Sequence, residues 1–141
     1  MRVLFDANIL LDVLLERDPH VEVAQKLVAL VDNDRIDGYI CATAATSLYY
    51  VGAKALGQKA VHGHLRTLLG LFQVAAVDRD VLQRALDTNG FADYEDAVIH
   101  EAAHSAGCGA IVTRDATGFT KATIPVFQPL ELLAAAAVRS D

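Results

Sequence analysis

Short, almost wholly apolar runs alternate along this chain with longer stretches of helical periodicity, and that alternation restricts the fold more than any other feature. Val3-Leu4-Phe5, Gly38 to Cys41, Phe72 to Val77, Ala110 to Thr113 and Pro125 to Phe127 read as strands. Between them, Ile9, Leu10, Val13 and Leu14 share one helical stripe, and Asp18-Pro19 ends it. Val21, Ala24, Leu27, Val28 and Val31 mark a second helix. Thr43 to Leu56 is a third, with Leu48, Tyr49, Gly52 and Ala55 on one face, and Gly57 stops it. Further helices are expected over Gln58 to Leu71, Asp78 to Leu86, Phe91 to Ala106 and Leu130 to Val138. Strands apolar on both faces, each followed by a helix, imply a parallel sheet covered on both sides. Crossovers in such a sheet are right-handed, and ligands gather at the carboxyl ends of its strands.

A chain of 141 residues with 53% hydrophobic residues suits one domain, here residues 1–141, and leaves no composition for disorder. Cys41 and Cys108 are the only cysteines, far apart in sequence, so the expected setting is a reducing cytoplasm rather than a disulfide scaffold. They read as buried small hydrophobes. No run approaches the roughly 18 apolar residues of a membrane span. Asp6 also interrupts the region where a signal peptide needs its apolar stretch. The formal net charge of -6 argues against holding nucleic acid by bulk charge alone.

The strand ends deliver acids. Asp6 closes the first strand, Asp115 follows the Ala110–Thr113 strand, and Asp93, Glu95 and Asp96 open the helix before that strand. Taken singly, Asp6 suits a helix N-cap, the Asp93–Asp96 acids suit a helix dipole, and Asp115 suits an Asx turn. Taken together, Asp6, Asp96 and Asp115 fall on one rim, where their mutual repulsion calls for a cation or a retained proton. A hard divalent ion on oxygen ligands resolves the conflict, and Mg²⁺ characteristically pairs with one or two carboxylates, waters and substrate phosphates. Phosphodiester hydrolysis by metal is then the leading chemistry.

The segments Val3 to Asp12, Asp93-Tyr94-Glu95-Asp96 continuing to Ala103, and Ala110 to Phe119 resemble the PIN-domain ribonucleases, the type found as the VapC toxin of toxin–antitoxin pairs. The resemblance spans almost the whole chain. It implies a three-layer α/β/α sandwich around a central parallel sheet and endonucleolytic cleavage of RNA. It implies that Asp6, Asp96 and Asp115 coordinate Mg²⁺ or Mn²⁺, with Asn8 and Thr113 supporting them by hydrogen bonds. It further implies an antitoxin partner and a homodimer. Two positions depart from the pattern. Most active members carry a glutamate in the helix after the second strand, where this chain has Ser47, and many carry an acid where it has Gly118. A subset shares Tyr-Glu-Asp-Ala and lacks that glutamate; there Asp93 or Glu95 would supply the charge. Asp93 is the easier candidate on an ideal helix, because it lies i,i+3 from Asp96. The alternative is a non-catalytic member of the fold that binds RNA or a protein through a degenerate metal site.

Three other signals carry less weight. His100-Glu101-Ala102-Ala103-His104 matches the H-E-x-x-H spacing of zinc proteases, but Ala110 stands where a metzincin needs its third ligand, and only the distant Glu131 remains. His100 is expected to be half-exposed. A response-regulator receiver would need paired acids at the first strand and a late lysine, and neither is present. Tyr49 and Tyr50, and the basic stretch Lys54, Lys59, His62, His64 and Arg66, read as packing and as a solvated helix face. With so little basic surface, RNA binding is expected to be weak, metal-dependent and salt-sensitive.

Overall fold

A computed structural model describes residues 1–88 and 90–139. Five parallel strands form one sheet in the order β3-β2-β1-β4-β5, with β1 Arg2–Phe5, β2 Asp37–Cys41, β3 Gln73–Ala75, β4 Ala110–Val112 and β5 Val126–Phe127. Among the described residues, seven helices connect or follow them: α1 Ala7–Leu14, α2 Val21–Asp32, α3 Ala42–Leu56, α4 Gln58–Leu71, α5 Arg79–Asp87, α6 Tyr94–Ser105 and α7 Pro129–Arg139. This strand order is not the 2-1-3-4-5 of receivers.

The period-2 alternation of strand side chains divides the core into two layers. Val3, Phe5, Ala110 and Val112 point to one face and pack with Ile9, Leu10, Leu27, Leu48, Val61, Leu68 and Leu132 from α1, α2, α3, α4 and α7. Leu4 and Ile111 point to the other, against Val81, Ala85, Ala97, Val98 and Ala102 from α5 and α6. The result is the α/β/α sandwich expected from the resemblance. Gly57 separates α3 from α4 at φ 87°, a conformation open to glycine and strained for other residues. Cys41 and Cys108 are buried free thiols, as expected. No helix among the described residues is long and apolar enough to cross a membrane.

Local chemistry moves some boundaries. The helix expected from Phe91 begins at Tyr94, because the Asp93 side chain accepts a hydrogen bond from Glu95 N–H at 3.0 Å and caps it. The strand expected over Phe72 to Val77 is only three residues long. Asp78 accepts from Val81 N–H at 2.9 Å and starts α5 soon after. After β4 the chain makes a 3-10 turn over Ala116–Phe119, which periodicity does not reveal.

Candidate metal centre

The register that pairs Val3 with Ala110 and Phe5 with Val112 sets the ends of β1 and β4 side by side. Asp6 and Thr113 follow those ends. The Asp6 carboxylate accepts from Ala7 N–H at 2.8 Å and, on its other oxygen, from the Thr113 hydroxyl at 2.8 Å. Thr113 Oγ1 in turn accepts from Asn8 Nδ2 at 3.2 Å and from Asp115 N–H at 3.0 Å. The other end of the Asn8 amide accepts the Arg114 N–H at 3.3 Å. Thr113, fully buried, thus ties Asp6, Asn8 and Asp115 into one network. Asp115 is exposed, and one of its oxygens accepts from the Thr117 hydroxyl at 2.7 Å.

Asp96 reaches the same rim from the first turn of α6. A Cβ placed on Gly118 would lie 2.5 Å from Asp96 Oδ2 and 3.6 Å from Asp115 Oδ2, so both carboxylates face the bare Cα of Gly118. A side chain at this position would push the Asp96 carboxylate aside. Gly118→Ala is expected to fold and to weaken Mn²⁺ binding about tenfold, as disturbance of a ligand's surroundings usually does. Calorimetric titration with Mn²⁺ checks this, and unchanged affinity would contradict it.

Burial raises the Asp6 pKa above the ordinary carboxylate value, with a smaller push from Asp115 against the opposing bonds from Thr113 and Ala7. Burial also pushes Asp96 up to about 6, helped in order by the charges of Asp93, Asp6, Asp115 and Glu95. The folded chain therefore holds this proton more tightly than the unfolded chain. From about pH 4 to about pH 6 that contribution to stability falls as the pH rises. In chelator, the melting temperature of the wild type should fall over that range relative to Asp96→Asn, and Mn²⁺ at neutral pH should recover it. Parallel profiles for the two proteins would refute the assignment.

Among the described residues, none of these acids takes part in an ion pair with a protein cation. Nor are any three His, Cys, Asp or Glu side chains gathered tightly enough to enclose an ion by themselves. The residues fit Mg²⁺ or Mn²⁺ in the manner usual for Mg²⁺, with one or two carboxylates as protein ligands and water and substrate oxygens completing the shell. Asp6, Asp96 and Asp115 are the side chains from which those one or two direct ligands would come, the remaining carboxylate acting through bound water.

Asp93 and Glu95 separate in role. Asp93 is the N-cap of α6, three residues before Asp96, and its charge acts on Asp96 more strongly than that of Glu95, in keeping with the i,i+3 spacing. Glu95 lines a cleft with Thr43, Thr46 and Ser47 of α3, together with Leu82, Tyr94 and Val98. Glu95 is therefore the carboxylate beside the position where the family pattern has its glutamate.

The zinc-protease spacing has a structural explanation. His100 is 3% exposed rather than half-exposed. Its Nε2 accepts from Thr123 N–H at 3.0 Å, which leaves Nδ1 to donate to Glu101 Oε2 at 2.8 Å. Glu101 also pairs with Arg84 at 3.5 Å. His104 is exposed, and Glu131 accepts from Gln128 N–H at 2.7 Å at the start of α7. Both His100 nitrogens are engaged, so no zinc-protease site forms. Tyr49 is half-buried, Tyr50 is 70% exposed, and the basic stretch lies exposed at the end of α3 and along α4.

Asp12 was not singled out by its sequence position. It is fully buried in α1, where Arg114 donates to it through Nε at 2.6 Å and through a terminal nitrogen at 3.1 Å. Arg17 Nε lies 3.1 Å from the same carboxylate. The signal was available: Asp12 is a charge amid Leu10, Leu11, Val13 and Leu14, four residues after Asn8.

A parallel sheet in this order, with acids from three elements at its carboxyl rim, defines an α/β/α architecture with an acidic rim. Residues 2–117 match the sequence profile of the PIN domain, and the chain belongs to that family. No curated protein matches the chain. Among solved structures, FitAcB from Neisseria gonorrhoeae is similar at a TM-score of 0.71 and 22% identity, covering 91% of this chain and 98% of that one. A toxin–antitoxin complex from Klebsiella pneumoniae is similar at 0.68 and 25% identity, covering 90% and 97%. The VapC20 toxin of Mycobacterium tuberculosis, described as cleaving the sarcin–ricin loop, is similar at 0.62 and 12% identity, covering 77% and 86%.

Proposed function

We propose that this PIN-domain chain is a Mg²⁺- or Mn²⁺-dependent endoribonuclease that hydrolyses RNA phosphodiester bonds, acting as the toxin of a toxin–antitoxin pair. The observation that carries this reading is the meeting of Asp6, Asp96 and Asp115 on one rim, with Asp96 raised to about 6 by burial and by neighbouring carboxylates. Acids arranged so are relieved by a divalent cation, which when bound neutralises phosphodiester charge and makes water a better nucleophile. Thr113 and the Ala7 N–H fix both oxygens of Asp6. Asn8 sets Thr113 and the Arg114 backbone, and Thr117 orients Asp115. Glu95, beside Ser47, adds negative charge on the α3 side of the rim.

The antitoxin partner is supported by the toxin–antitoxin complexes among the similar structures. A small antitoxin encoded in the adjacent reading frame is the simplest corroboration. A homodimer and a cytoplasmic setting belong to the same reading. One observation favours a second reading, a non-catalytic module that binds RNA or protein: Ser47 removes a carboxylate that most active relatives carry. Incubation of labelled RNA with purified protein in Mn²⁺ separates the two. Cleavage that chelator abolishes and that Asp6→Asn lacks supports the nuclease. Equal cleavage by both proteins would mark a contaminant, and retention of RNA without cleavage would favour the binding module.

A further inference from the structure

The chain is acidic overall, yet two arginines share one buried carboxylate next to the acidic rim. Asp12 has 1% of its side chain exposed, whereas Arg114 and Arg17 keep 30% and 38% of theirs in contact with solvent. Both guanidinium groups thus reach solvent while anchored on Asp12. Arg114 stands between Thr113 and Asp115 in sequence, so its cation adjoins the acidic rim.

Arg114 also lines a cleft with Pro19, His20, Val23, Gln128, Pro129 and Leu130. Its volume of about 360 Å³ lies within the range of small-ligand sites. The turn between α1 and α2 forms one wall, held by His20 N–H donating to the Arg17 carbonyl at 2.9 Å. The first turn of α7 forms the other. The Phe127 carbonyl accepts Thr113 N–H at 3.0 Å, which puts the end of β5 and the α7 start on the same rim as Asp115. Leu130 presents 68% of its surface to solvent there. The His20 imidazole and two proline rings offer faces on which a base can lie, Leu130 adds apolar contact, and guanidinium groups match phosphate oxygens.

We propose that this cleft is a nucleotide subsite for the RNA strand, with a phosphate next to the scissile one held at Arg114 and its base held against Pro19, His20, Pro129 and Leu130. The subsite rests on the nuclease reading, and it supplies a cationic contact beside the acidic rim.

Two measurements test it. The double variant His20→Ala, Leu130→Ala should raise KM for a mixed-sequence hexaribonucleotide roughly tenfold, with kcat within about twofold of wild type, as loss of a base contact away from the chemistry does. In Asp6→Asn protein, which keeps the strand intact, titration with the same hexamer should shift the backbone amide resonances of Val21, Val23 and Leu130. Unchanged KM with cleavage intact, silent amides, or shifts with an acidic peptide and none with RNA would overturn the subsite. Absence of cleavage by the wild type would overturn the nuclease reading instead, and the amide titration would still decide whether the cleft takes RNA.

Discussion

Asp6→Asn is expected to lower Mn²⁺-supported RNA cleavage by roughly 100- to 1,000-fold, the scale seen when one preorganised electrostatic contact to a reacting centre is removed. The substitution keeps the shape and removes the charge. One oxygen of Asp6 accepts from Ala7 N–H and the other from Thr113 Oγ1. An amide can satisfy only one of these, since its nitrogen is a donor. The lost bond costs about 1 kcal/mol. Relief of a buried charge offsets it, because burial already disfavours ionised Asp6. The melting temperature should therefore move by only about 3 °C while activity collapses. An equal loss of stability and activity would mean that Asp6 is chiefly a helix cap.

Asp12→Ala should have the opposite profile, with stability failing first. Removing one partner of a buried ion pair costs ~3–5 kcal/mol, because the remaining charge is left uncompensated. Arg17 and Arg114 can still reach water, which places this case near the lower end, about 3 kcal/mol and roughly 10 °C in melting temperature. Asp12→Asn should recover part of that loss, since the amide oxygen can still accept from Arg114. Thermal unfolding in chelator makes the measurement independent of metal. A change of under about 2 °C would show that the pair contributes no more than a surface ion pair.

The fold was legible because the central strands bury both faces, Val3–Phe5 and Ala110–Val112 alike, as a parallel sheet covered on both sides requires. The acids at the rim were legible for a related reason: a strand end fixes where the next side chain goes. Asp6 and Asp115 could be placed without knowing a single contact. What was hidden depended on capping and on contacts distant in sequence. Asp93 looks like a first-turn residue until its bond to Glu95 N–H shows that the helix starts after it. His100 looks amphipathic by spacing, but its partner Thr123 lies 23 residues away and draws the ring into the interior. Asp12 reads as an interruption of an apolar stripe. Only the return of Arg114, 102 residues later, makes it the anchor of the loop that carries Asp115.

The proposal that Asp6, Asp96 and Asp115 hold one divalent ion is tested most directly by calorimetric titration of Mn²⁺ into the wild type and into Asp6→Asn at neutral pH. The expected result is saturable binding to the wild type, and affinity at least about tenfold weaker in the variant. Equal Mn²⁺ affinity in the two proteins, or no binding to the wild type, would contradict it.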